Sequence, residues 1–217
     1  MGVTGIQIFS LFLALLGLTL ASVSMTSNEW RISSTSTTLI TASWIYDGLW
    51  KTCAANAMGI IQCTYYQSML ALHPYIQACR ALMIIAIILG AFATLMALLG
   101  LKCTSIGSME EKVKGKVALS GGIVFILAGL CAIVPLSWYA YNITMEFYNP
   151  TYGGTKYELG SALYIGWAGS ALLILGGALL CCSCKRNAET RSYKYSSAQS
   201  GQRIYTKTES AQSKAYV

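Results

Sequence analysis

Cysteine offers more chemistry than any other residue type in this chain. Two of the eight cysteines, Cys53 and Cys63, lie ten residues apart in the stretch YDGLWKTCAANAMGIIQC. Such a pair forms a disulfide in an oxidising compartment and stays as two free thiols in a reducing one. Three further cysteines, Cys181, Cys182 and Cys184, crowd into the run CCSC. The role of each thiol therefore depends on the compartment in which it lies.

Residues suited to catalysis are scarce. General acid–base chemistry relies on positioned titratable groups, most often His. The chain has a single His, His73, which lies between Leu72 and Pro74, away from acidic residues or other metal ligands. The long apolar runs contain no carboxylate, although a proton-coupled transporter is expected to carry one. This inventory predicts a protein that is not an enzyme, with no cofactor and no metal site.

The apolar runs explain the composition, which is 55% hydrophobic and only 11% charged. Four windows lack Asp, Glu, Lys and Arg, and each holds an apolar run of roughly 18–25 residues, the length that a helix needs to cross a bilayer. We predict transmembrane helices at residues 6–24, 81–101, 117–140 and 160–182. A cleaved signal peptide is the alternative for the first run, but no basic residue precedes it.

The basic residues predict the orientation of these helices. Eleven of the fifteen Lys and Arg residues lie in the loop 102–116 or in the tail 185–217. The positive-inside rule places both segments and the N-terminus in the cytoplasm, and the loops 25–80 and 141–159 outside. The net charge of +7 is therefore a topology signal. It does not indicate nucleic-acid binding, because the basic residues are distributed by the side of the membrane on which they lie.

This orientation assigns the cysteines to compartments. Cys53 and Cys63 fall in the oxidising outer loop, where we predict a disulfide that contributes about 2–3 kcal/mol in the chain-entropy model. Cys103 and the CCSC run fall at the inner ends of the second and fourth helices, where cysteines are candidates for S-palmitoylation. A metal site is the alternative for CCSC, but the run lacks a His partner. Cys79 and Cys131 are interpreted as packing residues.

The outer loop 25–80 has the composition of a small sheet. Residues 29–36, 37–48 and 60–66 are rich in β-branched and aromatic side chains, which predicts short antiparallel strands. A short helix on the membrane surface is expected over 66–77. The tail 185–217 lacks apolar periodicity and is predicted to be disordered. Residues 1–184 therefore form one membrane domain, in which an outer sheet stands on a four-helix bundle.

Several motifs resemble those of the claudin family. The outer loop carries the pattern W…GLW…C…C followed by Arg, formed by Trp30, Gly48, Leu49, Trp50, Cys53, Cys63 and Arg80. EFYNP at 146–150 resembles the claudin second-loop turn, and the chain ends in Tyr216-Val217 as claudin tails do. The first pattern alone is shared with peripheral myelin proteins and calcium-channel gamma subunits. The combination resembles claudins over residues 1–186, and SMLALHPYIQACRALM indicates the branch of claudins ten and fifteen.

This resemblance implies a tight-junction protein at the plasma membrane. Its fold would be a left-handed four-transmembrane-helix bundle with an extracellular antiparallel β-sheet, anchored by Trp30, Leu49 and Trp50. Claudins polymerise into strands within one membrane and pair with strands of the next cell. Met69 matches the residue that inserts into a neighbour, although Gln67 departs from the common Pro and Met69 alternatively serves as a plain membrane-surface residue.

The resemblance also implies particular contacts with partners. Phe147 and Tyr148 match the aromatic surface that receives the inserted methionine. Tyr216 and Val217 suit the groove of a PDZ-domain scaffold, which binds a C-terminal carboxylate and an apolar last residue. The expected partners are other claudins, PDZ scaffolds and membrane lipid.

Ion selectivity is less well defined by these motifs. Cation-selective relatives carry an acid where this chain has Asn56, and charged residues recur where it has Thr64 and Tyr65. Lys51 remains as a nearby cation, so we expect a paracellular pore with weak or weakly anion-preferring selectivity. The alternatives are a barrier-forming claudin, a cation-selective pore, or a non-junctional channel-auxiliary or adhesion tetraspan.

Overall fold

The computed structural model describes residues 3–33, 44–56, 58–66, 73–100, 111–149 and 156–183. These residues form four helices that are long and apolar enough to span a membrane: α1 (Val3–Thr26), α2 (Pro74–Gly100), α3 (Glu111–Tyr148) and α4 (Ser161–Ser183). They also form five short strands: β1 (Arg31–Ser33), β2 (Trp44–Asp47), β3 (Lys51–Ala55), β4 (Ile61–Tyr65) and β5 (Tyr157–Leu159). The predicted combination of four spanning helices with an antiparallel sheet is confirmed.

The helices approach one another closely where glycine removes the side chain. A Cβ atom on Gly17 of α1 would lie 2.7 Å from the carbonyl oxygen of Gly169 in α4. A Cβ atom on Gly122 of α3 would lie 2.9 Å from the carbonyl oxygen of Gly177 in α4. Small residues allow this approach where lipid supplies no hydrophobic driving force between helices. The bundle therefore depends on backbone contact between α4 and its two neighbours.

The start of α2 differs from the prediction. The helix begins at Pro74 and not at residue 81, because Pro is favoured in the first turn, where its missing N–H costs no hydrogen bond. The backbone N–H of Ile76 donates to the carbonyl of His73 at 3.0 Å. Residues 74–77, predicted to end a separate surface helix, thus belong to α2, and the rest of that prediction, 67–72, lies outside the described residues.

The third helix is longer than the segment predicted for it. It spans Glu111–Tyr148, so Glu146, Phe147 and Tyr148 of the EFYNP motif are helical and do not form a loop turn. The polar side chains near its end bond to the helix itself. Asn142 Nδ2 donates to the Trp138 carbonyl at 2.8 Å, and Thr144 Oγ1 to the Ala140 carbonyl at 2.9 Å. Pro150 sets the limit, because the residue before a proline disfavours helix.

The sheet has the order β4-β3-β2-β1-β5, and every neighbouring pair is antiparallel. Strands β1, β2 and β4 fall within the three predicted segments, whereas β3 and β5 were not predicted. The sequence of β3, KTCAA, has weak strand propensity, and tertiary pairing on both sides overrides it. The three-residue β5 exists through its pairing with β1 alone among the described strands. Residues 34–43, which join β1 to β2, lie outside the described residues.

Replacing Gly17 with Ala should destabilise the bundle, because the new methyl group meets the backbone of α4. Overpacking of this kind costs about 1–3 kcal/mol. Thermal unfolding of the purified protein in detergent measures the effect. Gly115→Ala is the matched control, since its Cβ meets nothing within 4 Å and Ala is the better helix former. Equal unfolding temperatures for Gly17→Ala and wild type would contradict the backbone contact between α1 and α4.

Candidate functional site

Trp30 lies where the sheet meets the ends of the helices. Its side chain is fully buried, and the indole Nε1–H donates to the carbonyl of Ser24 in α1 at 2.8 Å. The ring meets Tyr139 of α3 edge to face, with centroids 5.1 Å apart. Its backbone N–H donates to the Asp47 carbonyl, and its own carbonyl accepts from Gly160. One residue therefore connects the first and third helices with the sheet and the start of α4.

Arg80 binds the GLW segment from the side of α2. Its Nε donates to the carbonyl of Leu49 at 2.6 Å, and its guanidinium lies 5.0 Å from the Trp50 ring and 5.5 Å from the Tyr66 ring. Leu49 is fully buried, and Trp50 is half-buried. Burial raises the pKa of the Tyr66 phenol, which keeps this neighbour of Arg80 neutral. We call Trp30, Leu49, Trp50 and Arg80 the junction cluster.

Gly48 precedes Leu49 because the chain there touches the end of α1. A Cβ atom at this position would lie 2.7 Å from the carbonyl oxygen of Ser27 and from the Cα of Asn28. The glycine of the GLW motif therefore allows the sheet to approach the helix end. The fold thus brings together Trp30, which follows the end of α1, and Leu49, which follows Gly48; both are predicted family-signature residues.

The remaining signature residues, Cys53 and Cys63, form a disulfide between β3 and β4. They are partners in the register, and their Cα atoms lie 4.0 Å apart. The bond locks the pairing of the two strands, in which a slip by one residue would move every side chain to the opposite face. It thereby fixes the predicted pore-lining residues that share these strands.

The register divides those pore-lining candidates between two faces of the sheet. Lys51 pairs with Tyr65, and its ammonium lies 5.3 Å from the centre of the Tyr65 ring. Side chains alternate along a strand, so Thr64 lies on the opposite face from Tyr65. Asn56 follows β3 as an exposed residue in the turn, where its backbone exchanges hydrogen bonds with Gly59 and Ile60. Lys51 and Tyr65 are thus a pair, while Thr64 and Asn56 occupy separate places.

An ion-pair network that was not predicted from the sequence lies beside the junction cluster. Arg31 of β1 contacts the Asp47 carboxylate at 2.9 Å, the Glu146 carboxylate of α3 at 3.9 Å, and the Tyr157 ring of β5 at 4.3 Å. Burial opposes the charged guanidinium, but interactions with Tyr139 and Asp47 outweigh it and raise the pKa of Arg31. Arg31 therefore remains a cation that ties the sheet to α3.

A sequence signal for this network existed. Arg31 directly follows Trp30, and Asp47 directly precedes the GLW motif. Antiparallel pairing of the two predicted strand segments would place these opposite charges across from each other, as the register Arg31↔Asp47 does.

The predicted receiving surface, Phe147 and Tyr148, lies in the last turn of α3. The two rings are T-shaped with centroids 5.6 Å apart, and the ammonium of Lys156 lies 5.3 Å from the Phe147 ring. Tyr148 is exposed and Phe147 is half-buried, so an aromatic surface faces away from the bundle. Met69, its predicted counterpart in a neighbour, lies outside the described residues.

The inner end of the bundle holds two of the four palmitoylation candidates. Cys182 is exposed near the end of α4. Cys181 is turned toward α3, where its thiol lies 3.7 Å from the Leu119 carbonyl. The other candidates, Cys103 and Cys184, lie outside the described residues, as do Tyr216, Val217 and the rest of the tail 185–217.

Comparison with known proteins bears on this arrangement. Residues 4–180 match the model of the PMP-22/EMP/MP20/Claudin family. The chain belongs to this family. Family membership and the four apolar helices identify a multi-pass membrane protein.

Several claudins are similar over most of their length. Claudin-15 of Bos taurus is 48% identical over 189 residues, which cover 85% of this chain and 80% of the relative. Claudin-19 of Homo sapiens is 45% identical over 183 residues, covering 83% and 82%. Claudin-7 of Mus musculus is 42% identical over 216 residues, covering 99% of each chain. These relatives confirm the prediction of a claudin near the branch of claudin-15, and they identify a structural protein of the tight junction.

Replacing Arg80 with Gln should destabilise the junction cluster, because the Leu49 carbonyl loses a charged donor. A hydrogen bond to a charged group contributes about 1.5–3 kcal/mol. The unfolding temperature in detergent and the intrinsic Trp fluorescence report the change. Arg80→Lys keeps the charge without the planar group that lies near two rings, so it should restore only part of the loss. Full stability in Arg80→Gln would show that this bond does not support the sheet.

Proposed function

We propose that this chain polymerises into tight-junction strands and forms a paracellular ion pore of weak selectivity with a slight preference for anions. The observation that carries the proposal is the neutral character of the sheet at the positions matching the family's filter. Asn56 is exposed and uncharged, and it stands where cation-selective relatives carry an acid. An amide can donate to an anion or accept from a hydrated cation, so it discriminates little between them.

The charges near the sheet support the direction of the residual preference. Asp47 and Arg31 form an ion pair and largely offset each other. Arg80 is buried beneath the GLW segment. Lys51 is therefore the cation of the β3–β4 pair that stands beside the neutral Thr64 and Tyr65, held over the Tyr65 ring, whereas Asn56 follows the other end of β3. A single cation beside a neutral constriction favours anions weakly.

The proposed strands imply particular partners for this chain. Claudins bind claudins, so this chain would contact copies of itself and other claudins, with Met69 inserting against Phe147 and Tyr148 of a neighbour. The terminal Tyr216-Val217 would bind PDZ-domain scaffolds in the cytoplasm, where both termini are expected. Exposure of Cys182 supports it over Cys181 as the acylated cysteine of α4, next to the lipid.

A barrier-forming claudin is the second candidate function. The same lack of a filter carboxylate favours it, because a neutral and apolar sheet offers an ion little in place of its hydration shell. Freeze-fracture of transfected fibroblasts tests the polymerisation that both candidates share, since continuous strands at cell contacts are expected and scattered particles would contradict it.

Asn56→Asp should shift selectivity toward sodium if Asn56 lines the pore, because a carboxylate restores a fixed negative charge there. The NaCl dilution potential across an epithelial monolayer measures this shift. Gln62→Glu is the matched control, since it places an acid on the neighbouring strand. Raised resistance in wild type, together with an unchanged potential in Asn56→Asp, would favour the barrier over the pore.

Lys51→Glu should reverse the weak anion preference by exchanging the nearby cation for an anion. The chloride-to-sodium permeability ratio from the same dilution potential is the measurement, and Lys51→Arg, which keeps the charge, should leave it unchanged. A ratio equal to that of wild type in Lys51→Glu would show that the residual charge does not set selectivity.

A further inference from the structure

The charges of the outer loop are gathered at one end of the sheet. Glu29 and Arg31 stand at the start of β1, Asp47 at the end of β2, and Lys51 at the start of β3. These positions adjoin the junction cluster and therefore the helices. Between Arg31 and Asp47, and again from Thr52 to Cys79, the sequence has no Asp, Glu, Lys or Arg. The ends of β2, β3 and β4 farther from the bundle are thus uncharged, whereas Lys156 and Glu158 lie beside and on β5, at the opposite edge of the sheet.

That far end exposes large apolar side chains. Met58 is 85% exposed, Ile61 64%, Ile60 60% and Trp44 50%. Trp44 pairs with Ala55 and Ala55 pairs with Ile61, so these three side chains form a row on one face, and Met58 and Ile60 belong to the turn beside it. We call Trp44, Met58, Ile60 and Ile61 the distal patch.

The distal patch cannot be assigned to lipid contact with its own membrane. Strand β3 starts next to the junction cluster, and Ala55 lies four residues further on, about 13 Å away at the rise of a strand. Exposed apolar side chains on the spanning helices face lipid, but those of the distal patch project from the sheet at the end away from the bundle. A group of exposed apolar residues in such a position marks an interaction surface.

We propose that the distal patch docks against the distal patch of a second copy of this chain in the facing membrane, in a contact with twofold symmetry. The inference rests on the proposed strand-forming function and names the surface by which two facing strands meet. In a twofold contact each side faces an identical surface, so a charge near the axis meets its like. A surface without charge avoids that repulsion, and apolar side chains supply the attraction. This pairing accounts for the uncharged centre of the segment AANAMGII.

A charge-swap experiment tests the pairing. Two populations of fibroblasts express the full-length chain as Met58→Lys in one and Met58→Asp in the other, each with its own fluorescent label. The measurement is the enrichment of the protein at contacts between cells. Contacts between two Lys cells, or between two Asp cells, should lose most of the wild-type enrichment. Contacts between a Lys cell and an Asp cell should recover it, because opposite charges then face each other.

The matched control uses Gln62→Lys and Gln62→Asp, which change an exposed residue on the other face of β4. These variants should match wild type in every pairing. The Ile60→Lys and Ile60→Asp pair repeats the swap within the patch, so that a folding defect of one variant does not decide the result. Surface labelling and detergent unfolding temperatures verify that each variant is folded at the cell surface.

Three outcomes would overturn the proposal. Wild-type enrichment between two Lys cells would show that the patch makes no contact. Loss without recovery in the mixed pair would show that the patch does not face its own copy. Enrichment of wild type at contacts with non-expressing cells would assign the patch to lipid or to another surface protein. Absence of strands and of enrichment between two wild-type cells would instead contradict the proposed function itself.

Discussion

The burial of one indole ring holds the extracellular sheet to the membrane domain. Trp30 is the largest fully buried side chain among the described residues, and each of its polar groups is used. The indole N–H bonds to α1, the backbone N–H to β2, and the carbonyl accepts from the residue that precedes α4. An indole combines large apolar area with a single donor, so it suits a site where a wet sheet meets a dry helix bundle.

The other contacts at this boundary depend on the position of that ring. Gly48 allows β2 to pass the end of α1, Arg80 binds the turn that follows, and Arg31 extends the connection to α3. Each of these charged or polar contacts needs its partners held at the correct distance, which the packed aromatic group provides. The result is an attachment at one end of the sheet, while the described residues of the distal patch at the opposite end expose their apolar side chains.

The sequence predicted the spanning helices well because lipid leaves few alternatives to a helix in an apolar run of this length. It also predicted the disulfide and the signature residues that meet at the boundary. It did not predict β3 or β5, whose existence depends on pairing with distant segments and not on their own composition. The true end of α3 was missed because EFYNP was interpreted, by resemblance, as a loop turn, whereas Glu146, Phe147 and Tyr148 are helical. The pairing of Lys51 with Tyr65 required the register, which single residues do not define.

The length of α3 has a mechanical consequence. Its 38 residues form one helix of about 57 Å at the rise of an α-helix, from the inner loop to the aromatic residues Phe147 and Tyr148. Pro135 lies inside this helix, where it cannot donate the backbone hydrogen bond of its position, so α3 is not a uniform rod. The aromatic end lies about 20 Å beyond Pro135 at the rise of an α-helix. A bend at Pro135 therefore displaces Phe147 and Tyr148 sideways relative to the part of the helix on the inner side of the proline.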